Sequence, residues 1–300
     1  MGFRLAHISD VHFGPLPPVA RRQLLSKRIT GYVNWHSNRS GNMGVAALGA
    51  LTDGLEDLQP DHIAITGDLT NLALEAEYKN TAAWLGSLGN ADNISVIPGN
   101  HDAYVPRAMT KGLPLWAAWM VDDATKTAPK DNSGFPYTRV RGPVQIIGCS
   151  SAVATPAFVA AGRFGAQQAE RLAAYLRDGK EHGLFRVVLI HHPPVQGAAK
   201  ARKRLFGIGR FQSVIEQHGA ELVLHGHTHL PQRHMIADNV PVYGVPAASE
   251  APGGHRPPAA VNIFDIERSR TGFRCTHEEW SVTSVGAMSP LSKTDENQLY

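Results

Sequence analysis

Cysteine is scarce in this sequence: there are two, Cys149 and Cys275, each in or beside an apolar, strand-like run. That excludes a disulfide framework and a C-x-x-C zinc site, and both read as buried free thiols. No apolar run reaches the ~18 residues that a spanning helix needs. The N-terminus, MGFRLAHISD, has neither a long apolar region nor a cleavage signal. The net charge of +3 is too small to argue for a nucleic-acid partner from total charge. Internal repeats and low-complexity segments are missing as well. What is present is 43% hydrophobic and 18% charged residues, the balance of a soluble globular protein. The expected location is cytoplasmic, with peripheral attachment to a membrane left open.

The chain alternates short apolar runs with helical patterns. Strands are expected at 3–9, 61–67, 93–99, 144–151, 185–192, 220–226, 240–248, 259–267 and 271–280. Apolar residues at helical spacing place helices at 43–59, 74–89, 165–179 and 208–219. Asn42 is a candidate N-cap for the first helix, and Gly89 a stop for the second. This order argues an α/β layered domain with two packed sheets, not a βα-barrel. Residues 1–285 are expected to form the domain. Residues 286–300, polar and containing Pro290, are expected to be a tail with little structure.

In open α/β sheets, chemistry gathers at the carboxyl ends of the strands. The first strand is followed by Asp10-Val11-His12, the second by Gly67-Asp68, and the third by Gly99-Asn100-His101-Asp102. The run VVLI leads into His191-His192, and AELVL into His225-Gly226-His227-Thr228-His229. Singly, each is an ordinary turn or helix cap. Together they place seven of the 15 histidines at strand ends rather than on surfaces. Carboxylate, amide and imidazole without thiolate suit Mn, Fe or Zn in a catalytic rather than a structural site. A carboxylate can also bridge two metals ~3.5–4 Å apart.

These five segments, in this order, resemble the calcineurin-like metallophosphoesterases, whose pattern is D-x-H, G-D, G-N-H-D/E, H and G-H-x-H. The resemblance runs from residue 5 to about 265, and no position of the pattern is missing. It implies a four-layer α/β/β/α sandwich of two mixed sheets flanked by helices. It further implies two metal ions: one held by Asp10, His12, Asp68 and His229, the other by Asp68, Asn100, His191 and His227. A hydroxide between them would attack phosphorus in line. His101 would contact the phosphoryl group or protonate the leaving group, and Asp102 would orient His101. Either imidazole of His191-His192 can face the metal. His191, directly after VVLI, is taken as the ligand, and His192 as a substrate-side or packing residue. His225 and His7 read as core histidines that support the site. The filled ligand pattern argues against a non-catalytic scaffold of the same fold.

Two segments bear on the substrate. The stretch 13–42 carries Arg21, Arg22, Lys27, Arg28 and Arg39 among apolar residues, and positions 25, 29, 32 and 33 fit one helical face. Such a helix can lie on an anionic membrane through residues 16–40. It can equally pack its apolar face on the domain and leave its charges solvated. The segment 200–210, KARKRLFGIGR, follows His191 closely, and Arg202, Lys203 and Arg204 are candidates to attract an anionic substrate. The leading expectation is a phosphodiesterase for small diesters, of the cyclic-nucleotide or glycerophosphodiester type. The alternative is a pyrophosphate hydrolase for a nucleotide-linked or phospholipid-like substrate at a membrane surface, as lipid A precursor hydrolases of that family are. A nucleic-acid duplex is not expected, for want of a long basic track.

Overall fold

The computed structural model describes residues 2–39, 44–284 and 286–299. The strands along the chain are β1 (Gly2–Ile8), β2 (His62–Ile65), β3 (Ile94–Val96), β4 (Tyr137–Arg141), β5 (Val144–Gly148), β6 (Gly162–Arg163) and β7 (Phe185–Leu189). They continue with β8 (Leu205–Phe206), β9 (Leu222–His225), β10 (Gln232–Ile236), β11 (Val240–Gly244), β12 (Ala260–Arg268), β13 (Phe273–Val282) and β14 (Met288–Leu299). The helices are α1 (Arg28–Asn34), α2 (Val45–Leu58), α3 (Glu75–Ser87), α4 (Ala108–Gly112), α5 (Ala166–Glu181) and α6 (Ile208–His218). One six-stranded sheet has the order β14-β13-β12-β1-β2-β3, the other β10-β11-β9-β7-β5-β4, and β6 and β8 form a small ribbon.

Both large sheets are mixed, and the strand pattern explains how they stack. In β5 and β7, side chains alternate between faces. Val144, Ile146, Val187 and Leu189 share a core with Leu5 and Ile63 of the first sheet. Ile147, Val188 and, just past β7, Ile190 pack instead against Leu172 and Leu176 of α5 and Phe211 and Ile215 of α6, spaced four apart along each helix. Helix α2 covers the far side of the first sheet, against β13 and β14. This is the two-sheet sandwich flanked by helices that was expected.

Each predicted strand and helix has a counterpart, with ends that differ by a few residues. Gly89 follows the end of α3 with a φ of +134°, a backbone conformation that glycine adopts without strain. The proposed cap Asn42 lies outside the described residues. Cys149 and Cys275 are buried and free. The expectation for the C-terminus needs correction: Met288–Leu299 is not a loose tail but β14, antiparallel to β13 at the sheet edge. An edge strand needs a partner on one side only, so its stability comes from the backbone ladder. Polar residues and Pro290 are tolerated there. Among the described residues, no helix is long and apolar enough to cross a membrane.

The parallel strands position the site. β1, β2 and β3 run parallel in the first sheet, and β5, β7, β9 and β11 in the second. Their carboxyl ends meet, stitched by a bridge between Ser9 and Ala247 in which Ala248 N donates to Ser9 O at 2.9 Å.

Candidate metal centre

The backbone turns sharply where the strands end. Asp10, His12, Asp68, His227 and His229 all have left-handed φ values, from +41° to +72°. Such a conformation costs about 1–3 kcal/mol per non-glycine residue and persists where surrounding structure imposes it. Here the imposing contacts are backbone hydrogen bonds between strand-end loops, Asp10 N to Gly67 O and His12 N to Asp68 O, both 2.9 Å. His227 N donates to Asp10 Oδ2 at 2.8 Å, and His101 N to Asp68 Oδ1 at 2.7 Å. The glycines allow this closeness: a Cβ on Gly226 would collide with Ser9 Oγ and Asp10 Oδ2, and one on Gly99 with Asp68 Oδ1.

The seven side chains read from the strand ends converge. Asp10, His12 and His229 form one group of ligand atoms within 4.8 Å of one another, and Asp68, His191 and His227 another. Asp68 also falls within that distance of His12 and His101, so it lies between the two groups. Asn100 joins the second group, its Oδ1 3.3 Å from His191 Nε2.

The donor set fits metal. A carbonyl oxygen only accepts, so an imidazole nitrogen beside one carries the proton. His12 Nδ1 faces Thr70 O at 3.2 Å, His191 Nδ1 faces Thr66 O at 2.7 Å, and His227 Nε2 faces Lys203 O at 3.0 Å. In each neutral ring the other nitrogen is therefore a lone pair, and metal-ligating histidines are oriented in this way. His12 Nε2 lies 3.9 Å from both Asp10 Oδ1 and Asp68 Oδ2, and His191 Nε2 lies 3.4 Å from Asp68 Oδ2. Asp10 Oδ1 is buried and accepts no hydrogen bond among the described residues, with His229 Nε2 3.1 Å away. Lone pairs aimed at buried carboxylates repel unless a cation sits between them.

Electrostatics separates the two adjacent histidines. Burial disfavours charge on His191, but the Asp68 carboxylate outweighs it and lifts the pKa to about 9, so without a metal a proton takes the cation's place on that ring. Burial, reinforced by His191, pushes His192 down to about 3. Burial also opposes ionisation of Asp68, yet the His191 and His101 imidazoles hold its carboxyl well below the usual range. His191 thus meets the carboxylates. His192 is buried with both nitrogens engaged, Nδ1 with Ser151 Oγ at 2.7 Å and Nε2 with Ala160 O at 3.1 Å. Of the two places expected for it, these contacts favour packing behind the site over the substrate side.

The role expected of Asp102 also changes. Its buried carboxylate accepts from Gly99 N at 2.8 Å, Leu69 N at 3.3 Å, Thr70 N at 2.9 Å and Thr70 Oγ1 at 2.9 Å. It pins the loop that carries Asp68. The His101 ring is aimed instead by Asn71, whose carbonyl oxygen lies 2.6 Å from Nδ1. His7 and His225 are both buried, His7 Nε2 2.9 Å from Thr66 Oγ1 and His225 Nδ1 3.0 Å from Gly226 O.

A cavity of about 580 Å³ opens over the cluster, with Asp68, Asn100, His101, His227 and His229 on its floor. Arg202 and Lys203 line it, as expected of that segment. Arg204 does not; its guanidinium lies over the exposed Phe206 ring at 4.6 Å. Sequence reading missed Lys27, Tyr104, Glu250 and Arg256 on the walls. Arg256 Nη1 lies 2.9 Å from His229 Nδ1 and 3.8 Å from the buried Glu250 carboxylate. The missed signal is positional: β11 runs parallel to β9, so the polar loop after Gly244 had to reach the same edge.

The fold is similar to that of a dimetal phosphatase from Danio rerio, at 14% identity and a TM-score of 0.63, covering 97% of this chain and 99% of that one. It is similar to a purple acid phosphatase from yellow lupin at 12% identity and a TM-score of 0.57, covering all of this chain and 53% of that one. A putative 5'-nucleotidase from Staphylococcus aureus shares 14% identity and a TM-score of 0.52, over 98% of this chain and 53% of that one. No protein of curated function matches. The family model described as calcineurin-like phosphoesterase matches residues 3–231, all five strand-end segments included. The chain belongs to the calcineurin-like phosphoesterases and is a metal-dependent phosphoester hydrolase.

Proposed function

We propose that the protein is a phosphodiesterase for small diesters, of the cyclic-nucleotide or glycerophosphodiester type. One metal is held by Asp10, His12, Asp68 and His229, and the other by Asp68, Asn100, His191 and His227. Oxygen and imidazole ligands without thiolate suit Mn, Fe or Zn. When bound, the pair supplies an acidified water as nucleophile and positive charge against the phosphoryl oxygens. The observation that carries this reading is the position of Asp68 between the two ligand groups.

The chain's own residues do the rest. Asp102 and the Thr70 backbone hold Asp68 in place. His101, with its Nδ1 proton fixed on Asn71 O, turns its Nε2 edge to the site and, when it carries a second proton there as imidazolium, delivers that proton to the departing oxygen. Arg202, Lys203 and Arg256 draw the anionic substrate in. Tyr104 and Phe158 give the walls apolar area for an organic substituent beyond phosphorus, which favours a diester.

A second reading is supported by the number of cations on the walls, which exceeds what a singly charged diester needs. It is hydrolysis of a pyrophosphate in a nucleotide-linked or phospholipid-like substrate, by a cytoplasmic protein working at a membrane surface. The test is a panel on Mn-, Zn- and Fe-loaded protein: an aryl phosphomonoester, an aryl phosphodiester, cyclic nucleotides and a lipid-linked pyrophosphate. Diester turnover well above the rest supports the first reading. A strong monoester preference contradicts it, and a pyrophosphate preference replaces it with the second.

A further inference from the structure

The helical insert after β1 is inverted relative to an ordinary surface helix. Its cations Lys27 and Arg28 turn inward. Lys27 Nζ donates to Thr155 Oγ1 at 2.8 Å and Val159 O at 2.9 Å, and sits 4.7 Å over the Tyr104 ring. Arg28 donates to Leu72 O at 2.8 Å and Ala73 O at 2.7 Å. Gly31 lets the helix lie close, since a Cβ there would meet Leu72 and Tyr104. The stripe that faces water is apolar: Leu25 is 86% exposed, Ile29 52% and Val33 57%. Tyr32 alone of the four apolar positions packs on the core. Of the two arrangements expected, packing with the apolar face inward and the charges solvated holds only for Tyr32 and for Arg21 and Arg22.

A second element presents the same chemistry at the same place. Phe158, 78% exposed, is on the loop that Lys27 ties to the insert, and its backbone is left-handed, at φ +64°. Lys27, Thr30 and Phe158 all line the cavity, so the stripe borders its mouth. The segments that build this face carry charge of one sign. Segments 13–42, 152–169 and 195–215 contain no Asp or Glu at all. They expose Arg21, Arg22, Arg202 and Arg204. An aliphatic stripe flanked by Arg21 and Arg22, in segments that carry no acidic residue of their own, matches a negatively charged apolar boundary. It suits self-pairing less well, because a second copy of this face would bring in further cations and no acidic partner from these segments.

We propose that this face docks on an anionic lipid surface. Leu25, Ile29 and Val33 enter the boundary between headgroups and acyl chains, Arg21 and Arg22 meet lipid phosphates, and the cavity mouth opens toward the bilayer. The inference uses the position of the cavity and does not depend on which phosphoester is cleaved.

The experiment is co-sedimentation of the full-length protein with phosphatidylcholine vesicles, with and without phosphatidylglycerol. The variants are Leu25→Ser/Ile29→Ser/Val33→Ser and Arg21→Gln/Arg22→Gln. Wild type binds the anionic vesicles, and added salt weakens binding. The triple variant binds about tenfold less or worse, and the double variant loses the preference for anionic lipid. Turnover of a soluble aryl phosphodiester is unchanged in both, because none of these five residues lines the cavity. No wild-type binding, or equal binding by the triple variant, overturns the proposal. A dimer of wild type that the triple variant abolishes overturns it in favour of a second copy. Vesicle binding without any phosphoesterase activity would contradict the proposed function and leave the docking standing.

Discussion

Nδ1 of His101 lies 2.6 Å from the main-chain carbonyl oxygen of Asn71, so the backbone of the 67–71 loop sets the ring's orientation and its tautomer. If the ring serves as proton donor, its value depends on how badly the leaving group needs a proton. His101→Gln should lower kcat by about 10²–10³-fold on an alkyl diester. It should cost far less on an aryl diester with an acidic phenol. Metal content should stay at the wild-type level. Equal losses on both substrates would remove the acid role.

Asp102 is predicted to act through the loop rather than through His101. Its carboxylate takes four hydrogen bonds from Gly99, Leu69 and Thr70. Asp102→Ala should weaken metal binding by about 10–100-fold and lower the melting temperature. Competition with a chelator reads the first and thermal unfolding the second. A variant with normal metal affinity and stability but a lost pH–rate limb would restore the orienting role.

Arg256 should contribute to substrate binding. Its guanidinium is held between His229 and Glu250 at the cavity wall. Arg256→Ala should raise KM about tenfold, near the ~1.4 kcal/mol of one charge-assisted hydrogen bond. It should change kcat much less. Steady-state kinetics on the best diester decides, and an unchanged KM would place Arg256 outside the substrate's reach.

Acid should destabilise the fold through His62 of β2. This ring is buried, with Nε2 2.9 Å from Ser95 Oγ, and burial, aided by Arg139 and Arg141, depresses its pKa to about 3. The unfolded chain takes up the proton near 6.5, so stability is fully present above pH 6.5 and drains away as pH falls toward 3. By pH 5 the loss from this one group is about 2 kcal/mol. Urea midpoints at pH 7 and pH 5 should therefore differ less in His62→Gln than in wild type. An identical difference would show that His62 is not a source of the acid sensitivity.

The strand-end residues were legible because an apolar run followed by Asp, Asn or His is a local pattern, and five of them agreed. The choice between His191 and His192 depended on which face of β7 meets the other sheet. Period two then decides it, since His191 shares parity with Val187 and Leu189 of the inner core. Glu250 and Arg256 were not legible, because their loop carries no spacing rule and only the parallel course of β11 brings it to the site. The orientation of the 28–34 helix stayed open between two alternatives for a related reason. Periodicity identifies a stripe, but the carbonyls of Leu72, Ala73 and Val159 that capture Arg28 and Lys27 come from distant segments. β14 was missed because an edge strand is specified by its partner's backbone rather than by its own side chains.

The most direct test is the metal content of purified wild-type and Asp68→Ala protein by inductively coupled plasma mass spectrometry. If Asp68 bridges two ions, wild type reconstituted with Mn, Fe or Zn holds two per chain. Asp68→Ala then holds fewer than one, with diester turnover down by about a thousandfold or more. Two ions per chain and near-normal turnover in Asp68→Ala would contradict the dinuclear assignment.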